Sequence, residues 1–174
     1  VCAIRLGQLG ISTVIVEKTE LGGTCLNVGC IPSKALITAS KRYAAMEALK
    51  TMGIDASNVS IDMNTLQEWK GGIVKKLTGG VGQLLKGNKV TVMRGTARVD
   101  GPGQVTVQKS DGTSETLTCK AVVIATGSKP LEIPGFAFDH ENVLDSTSAL
   151  NLSTIPKHLV VIGGGYIGLE LGGT

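Results

Sequence analysis

Two cysteines, Cys25 and Cys30, stand with four residues between them in the stretch LGGTCLNVGCIPSKAL, which runs from Leu21 to Leu36. A pair of thiols this close in sequence can cycle between dithiol and disulfide, and its reactivity follows the thiolate fraction. Pro32 has no amide hydrogen to lose in a first helical turn, and the run from Ser33 to Leu49 is rich in helix formers. The pattern therefore predicts a helix beginning close to Cys30. A sulfur at that end faces orphan amides and the positive pole of the helix, which favours thiolate and lowers the cysteine pKa. Lys34, four residues beyond Cys30, falls on the same face and adds a positive charge.

Other chemistry fits the same pair. A structural disulfide is one reading, although four cysteines in 174 residues are not a disulfide scaffold and Cys2 and Cys119 have no near companion. A zinc site is another, but it wants a second close pair or histidines, and His140 and His158 lie far along the chain. Spacing alone leaves redox pair, inert pair and metal site open.

Two further groups concern nucleotides. Glu17 closes a short apolar run, Ser12 to Val16, of the kind buried in a parallel sheet. An acid there hydrogen-bonds the adenosine ribose in a dinucleotide-binding unit, and the glycine fingerprint lies about 20 residues earlier. Counting back runs past Val1, so Glu17 reads either as an ordinary exposed glutamate or as the acid of a unit whose first strand and phosphate loop precede Val1. Gly163-Gly164-Gly165-Tyr166-Ile167-Gly168 is such a fingerprint, G-x-G-x-x-G, following the apolar run Leu159 to Ile162 and preceding helix formers. Its acid, expected about 20 residues on, falls beyond Thr174. The chain thus reads as the back half of one nucleotide site and the front half of another.

The elements that must position these groups follow from periodicity. Val1 to Leu9 reads as a helix ended by Gly10. Ser33 to Lys50 carries an apolar stripe of Ala35, Leu36, Ala39, Tyr43, Met46 and Leu49, with Tyr43 and Met46 expected in the core. Gly53 to Ser60 is a loop with room for a short strand. A second long helix is expected from Asn64 to Lys86 on Leu66, Trp69, Ile73, Leu77, Val81 and Leu84. Trp69 should be an apolar anchor, and the pairs Gly71-Gly72 and Gly79-Gly80 should interrupt the helix or admit a close neighbour. Lys89–Val99, Gln104–Lys109 and Thr113–Thr118 read as a three-stranded antiparallel meander. Ala121 to Ala125 is a further buried strand, closed by Thr126-Gly127-Ser128 at the sheet edge where open α/β sheets bind cofactors. Lys129 to Pro156 is a proline-rich linker, and Leu159 to Ile162 starts the next unit as a strand.

With 42% hydrophobic and 18% charged residues the composition is that of a globular protein. A net charge of +3, with no basic run interleaved with aromatics, does not indicate a nucleic-acid surface, and no apolar span is long enough to cross a bilayer. No signal peptide is expected ahead of the fold, although a start at Val1 leaves room for lost residues.

The segment GGTCLNVGCIPSKAL resembles the redox-active segment of the flavin-dependent pyridine nucleotide–disulfide oxidoreductases, and the resemblance extends over essentially all 174 residues. Around the cysteines it is most similar to members that oxidise dihydrolipoamide; those that reduce glutathione or mercuric ion differ there. The resemblance implies a Rossmann-like FAD/NAD(P)-binding three-layer α/β fold with a small antiparallel meander. Residues 1–150 would be the FAD-binding domain without its first strand and glycine loop, and 151–174 the start of the NAD-binding domain. It implies FAD and NAD as cofactors and, as partner, dihydrolipoamide or the lipoyl domains of a 2-oxo acid dehydrogenase complex. It also implies a homodimer, in the bacterial cytoplasm or the mitochondrial matrix. A related flavin disulfide reductase and a non-catalytic remnant of the fold are the alternatives.

Carried over by residue, the resemblance makes Cys25 the interchange thiol and Cys30 the thiol against the flavin. Lys34 matches the lysine near flavin N5, Glu170 the glutamate that pairs with it, and Tyr166 the residue shielding the other flavin face. Glu17 matches the ribose acid, Ala97 a backbone contact to adenine, and Gly22, Gly23, Thr24, Thr126, Gly127 and Ser128 further FAD contacts. Gly163, Gly165, Ile167 and Gly168 belong to the nicotinamide-nucleotide fingerprint. The family's catalytic histidine comes from a C-terminal interface domain, and neither His140 nor His158 matches it.

Overall fold

All residues, 1–174, are described by the computed structural model. In chain order the elements are α1 (Cys2–Gln8), β1 (Val14–Glu17), α2 (Gly23–Val28), α3 (Cys30–Ala48), a 3-10 turn (Leu49–Met52), α4 (Met63–Gly87), β2 (Thr91–Arg94), β3 (Thr96–Gly101), β4 (Gln104–Gln108), β5 (Ser114–Thr118), α5 (Ser146–Ala149) and α6 (Tyr166–Gly172). They fall into two compact units, one of residues 1–23 with 77–127 and one of residues 24–76 with 128–174.

In the first unit β1 pairs parallel with β2, from Val14 opposite Thr91 to Glu17 opposite Arg94. The Val90 amide bonds back to the Leu85 carbonyl at 3.0 Å, and both side chains are buried where α4 hands over to β2. The second sheet is antiparallel, in the order β3-β4-β5. Its middle strand, QVTVQ, buries Val105 and Val107 and leaves the residues between and around them open, the period-two pattern of a sheet with one covered face. This is the Rossmann-like parallel pair with an antiparallel meander that the sequence implied.

The meander differs from expectation at its start. Lys89–Val99 is not one strand: β2 belongs to the parallel sheet and β3 to the antiparallel one. Gly95 makes the break, at φ 156°, where an added Cβ would lie 2.4 Å from the Gln108 carbonyl oxygen. The chain can turn there only because that side chain is missing. Ala121–Ala125 is neither a strand nor buried: Val123 and Ile124 are 64% and 75% exposed. Apolar composition makes a strand only where a neighbouring edge offers hydrogen bonds, and β1 and β2 pair only with each other.

The second unit is helical. α3 buries Pro32, Ser33 and Ala35. Against the N-terminal half of α4 lies the segment after α5, with Leu150 almost fully buried. α5 is a helix the sequence reading did not pick out, although Asp145 and Ser148 form a capping box at its start: Asp145 Oδ1 accepts from the Ser148 amide at 2.7 Å and Ser148 Oγ from the Asp145 amide at 2.9 Å. Leu159–Ile162, expected as a strand, has no ladder partner and is exposed.

Three further expectations need correction. Tyr43 and Trp69 are exposed, not core residues. Neither glycine pair of α4 breaks the helix, and an added Cβ at Gly71, Gly72, Gly79 or Gly80 would meet nothing within 4 Å. Residues 53–60 contain no strand. No helix is long and apolar enough to cross a membrane.

Candidate active site

The cysteines sit on two successive helices. Cys25 is the third residue of α2 and Cys30 the first of α3, with Gly29 as the N-terminal cap residue between them. As expected, a helix begins at Cys30. Pro32 lies in its first turn, and the Ser33 amide closes that turn on the Gly29 carbonyl at 3.1 Å. Ser33 Oγ donates back to the Cys30 carbonyl at 3.1 Å, which fixes the start of the helix under the sulfur.

Both thiols are exposed and unlinked. Cys30 nevertheless does not have the lowered pKa expected at a helix start. The Cys25 sulfur hydrogen-bonds to it and, with desolvation and repulsion from Cys25, pushes the Cys30 thiol above its ordinary value; the Cys30 backbone and the Lys34 ammonium pull in the opposite direction. A second sulfur within hydrogen-bonding reach outweighs the helix end. The same contact is the geometry a dithiol needs in order to close.

One helical turn past Cys30, Lys34 Nζ donates to both carboxylate oxygens of Glu170, at 2.5 and 2.6 Å. The partners are 136 residues apart in sequence, so the pair joins the cysteine helix to the helix of the glycine fingerprint. Two more bonds hold α6 there. Ser40 Oγ donates to the Thr174 carbonyl at 2.7 Å, and Thr174 Oγ1 to the Glu170 carbonyl at 2.6 Å. Cys25, Cys30, Lys34 and Glu170 all belong to the second unit, although the sequence reading divided them between residues 1–150 and residues 151–174. Tyr166, Ile167 and Gly163–Gly165 lie exposed at the start of α6. Gly168 packs on Val161, whose Cγ1 would lie 2.9 Å from an added Cβ.

In the first unit Glu17 ends β1. Its Oε1 accepts from the Thr19 amide at 2.9 Å and from Thr19 Oγ1 at 3.1 Å, which leaves Oε2 open to an incoming donor. The Gly95 amide takes the Glu17 carbonyl at 3.1 Å. Arg94, opposite Glu17 in the sheet, donates to the Thr19 carbonyl and sits 3.8 Å from the Glu20 carboxylate, steadying the turn. Ala97 lies on β3 opposite Val107. Gly22, Gly23 and Thr24 precede Cys25 on exposed backbone, and Thr126, Gly127 and Ser128 are exposed in irregular chain after β5, with Gly127 at φ 75°.

Sequence reasoning missed Gln67 and Lys70. Lys70 is buried, donating to the Leu150 carbonyl and, at 3.0 Å, to Asn151 Oδ1; burial pushes its pKa below the ordinary lysine value. Gln67 Nε2 donates to the carbonyls of Leu150 and Leu152 at 3.2 and 2.9 Å. Together they cap the end of α5 and seat the segment leading to the fingerprint. The signal was present: Lys70 lies four residues after Leu66 and three before Ile73, a lysine on an apolar stripe.

A profile of the pyridine nucleotide-disulphide oxidoreductase family matches residues 1–174. Among curated relatives, the chain is 58% identical over 172 residues to the dihydrolipoyl dehydrogenase of Geobacillus stearothermophilus, covering 99% of this chain and 36% of the relative. It is 47% identical over 175 residues to the mitochondrial dihydrolipoyl dehydrogenase of Sus scrofa, covering 99% of the chain and 34% of that relative. The chain thus spans little more than a third of the length of these relatives. Among solved structures, LpdA from Mycobacterium tuberculosis superposes with a TM-score of 0.82 at 20% identity, over 98% of this chain and 39% of that one, a likeness of fold. The HOCl-induced flavoprotein disulfide reductase RclA from Escherichia coli, solved as a Cu(II) complex, has a TM-score of 0.79 at 27% identity, over 97% and 35%.

Proposed function

The chain belongs to the pyridine nucleotide-disulphide oxidoreductase family, and from that premise we propose that it carries the thiol centre of a dihydrolipoyl dehydrogenase, which oxidises dihydrolipoamide and reduces NAD. The observation that carries this reading is the exposed, mutually hydrogen-bonded pair Cys25 and Cys30 beside the Lys34–Glu170 ion pair. In the oxidised protein one thiolate of dihydrolipoamide attacks Cys25 of the disulfide, and Cys30 leaves as a thiolate beside the Lys34 ammonium. The second substrate thiolate then displaces Cys25 as a thiolate, releasing lipoamide; the two cysteine sulfurs now hold the electron pair and become thiols on taking up the two protons that the substrate thiols gave up.

The chain's own groups fit FAD and NAD. Glu17, with Oε1 tied to Thr19 and Oε2 open, suits the adenosine ribose of FAD. By the family resemblance, Ala97, Gly22–Thr24 and Thr126–Ser128 are the residues proposed for the rest of that cofactor, and Cys30, Lys34 and Glu170 those proposed for its isoalloxazine. Gly163–Gly165, where added Cβ atoms would meet nothing within 4 Å, leave backbone free for a dinucleotide, with Tyr166 to Gly168 following. FAD, when bound, supplies the two-electron acceptor that connects thiol oxidation to NAD. We assign residues 1–150 to FAD binding and 151–174 to the NAD-binding domain. The lipoyl domains of a 2-oxo acid dehydrogenase complex are the proposed partners, and the full-length protein the proposed homodimer.

Cys25→Ser in the full-length enzyme tests the assignment. Lipoamide-dependent NAD reduction is expected to be lost while flavin stays bound, because only the exchanging sulfur has gone. Turnover near the wild-type rate refutes it.

A further inference from the structure

Gly29 separates the two cysteine helices, and its backbone lies close against the first turn of α2. An added Cβ would lie 2.9 Å from the Thr24 carbonyl oxygen, 3.1 Å from Cys25 Cα and 3.3 Å from the Thr24 carbonyl carbon. All three are backbone atoms of the first turn of α2, and backbone cannot swing aside as a side chain can. This close approach selects glycine between a Cys25 that must reach back and a Cys30 fixed at the head of α3.

We propose that Gly29 is the positioning residue of the redox pair: by carrying no side chain it lets the α2 backbone settle against the start of α3, which sets Cys25 within bonding reach of Cys30. This rests on the redox-pair reading above. A disulfide holds its Cβ atoms about 3.8 Å apart, a tolerance of a few tenths of an ångström. A methyl at position 29 pushes directly on Cys25 Cα. It therefore opposes the closed disulfide more than the open dithiol, and raises the reduction potential of the pair.

The test uses the full-length holoenzyme as wild type, Gly29→Ala and Gly72→Ala, the last being a helical glycine with open space around it. Each protein is equilibrated in glutathione buffers, trapped with an alkylating agent and weighed. Closure consumes one glutathione disulfide: its S–S bond breaks, the Cys25–Cys30 bond forms, and two reduced glutathiones take up the electron pair and the two thiol protons. Gly29→Ala is expected to lower the closure constant by roughly tenfold or more, which is about 30 mV for a two-electron couple. Gly72→Ala should match wild type. Equal constants for Gly29→Ala and wild type overturn the proposal, whereas a wild-type pair that never closes overturns the redox-pair reading itself. Should Gly29→Ala retain no flavin, a glycine inserted between Val28 and Gly29 lengthens the junction without adding a methyl. It is expected to show the same loss, and closure as tight as wild type would refute the positioning role.

Discussion

Removing the Lys34–Glu170 pair should have one effect on stability and another on electron transfer. The ammonium meets both carboxylate oxygens at 2.5 and 2.6 Å, yet the two side chains are 55% and 37% exposed. An exposed pair is worth about 0.2–1 kcal/mol, since water screens it and two long side chains must be ordered. A covered pair is different: two unit charges 4 Å apart gain about 1 kcal/mol in water but about 4 at an effective dielectric of about 20. Breaking a buried pair by removing one partner costs roughly 3–5 kcal/mol. If the isoalloxazine lies over Lys34, the pair moves from the first regime toward the second when FAD binds. A double-mutant cycle of Lys34→Ala and Glu170→Ala in the full-length enzyme separates the regimes. Without flavin, urea titration should give a coupling below about 1 kcal/mol that fades in 1 M salt, where the screening length is about 3 Å. With flavin, the coupling should rise by about 1.4 kcal/mol or more, a tenfold loss of FAD affinity for each single variant. Stopped-flow reduction by dihydrolipoamide should slow in both. Equal coupling with and without flavin, together with unchanged reduction rates, would remove these residues from the cofactor site.

Three other outcomes are expected. Lys70 is a cation whose folded-state pKa lies below its unfolded value because burial opposes its charge, so the unfolded chain binds more protons and stability should rise with pH as it approaches the ordinary lysine range. Urea midpoints at neutral pH and at pH about 9.5 should therefore differ more for wild type than for Lys70→Met, and identical shifts would contradict this. Gly95→Ala meets the Gln108 carbonyl at 2.4 Å from a φ of 156° and should cost about 2 kcal/mol or more; Gly72→Ala, with open space, should be neutral or stabilise by up to about 1 kcal/mol. Thermal unfolding ranks them, and equal effects would show that the close approach at Gly95 is relieved cheaply. Residues 1–174 produced alone leave Val123, Ile124, Leu131 and Val160 largely exposed and should aggregate and hold FAD poorly, as gel filtration with flavin absorbance would report; a monomer carrying stoichiometric FAD would refute that.

How much of this was legible in the sequence depended on whether a residue's partner was local. The helix at Cys30 was readable because Pro32 and the helix formers after it act within a turn or two, and so was β4, whose alternation sits in five residues. The spacing of the pair left redox pair, inert pair and metal site open, and only the resemblance of the whole segment chose among them. The pKa of Cys30 was not readable, because the helix end is a local cue whereas the opposing Cys25 sulfur is placed by the fold of α2 over Gly29. Lys34 and Glu170 could be matched only through a family resemblance, since no periodicity links positions 136 residues apart.

The strand misreadings share one physical cause. Val122–Ile124 and Leu159–Ile162 have the composition of buried parallel strands, but a strand is a relation between two chain segments. β1 satisfies that relation because Thr91–Arg94 lies beside it with matched register, down to the Thr91 amide on the Thr13 carbonyl at 3.0 Å. The two apolar runs have no such neighbour within residues 1–174. Composition states what a segment tolerates when covered, and only a partner's backbone decides whether it is covered. The same distinction separates Val107, fully buried between two paired strands, from Ile124, three-quarters exposed at the end of a run at least as apolar. It also explains why the site residues held by side-chain partners inside one unit, such as Lys34 with Glu170 and Glu17 with Thr19, have defined geometry here. Thr126–Ser128, which follow the unpaired apolar run, are exposed outside any helix or strand.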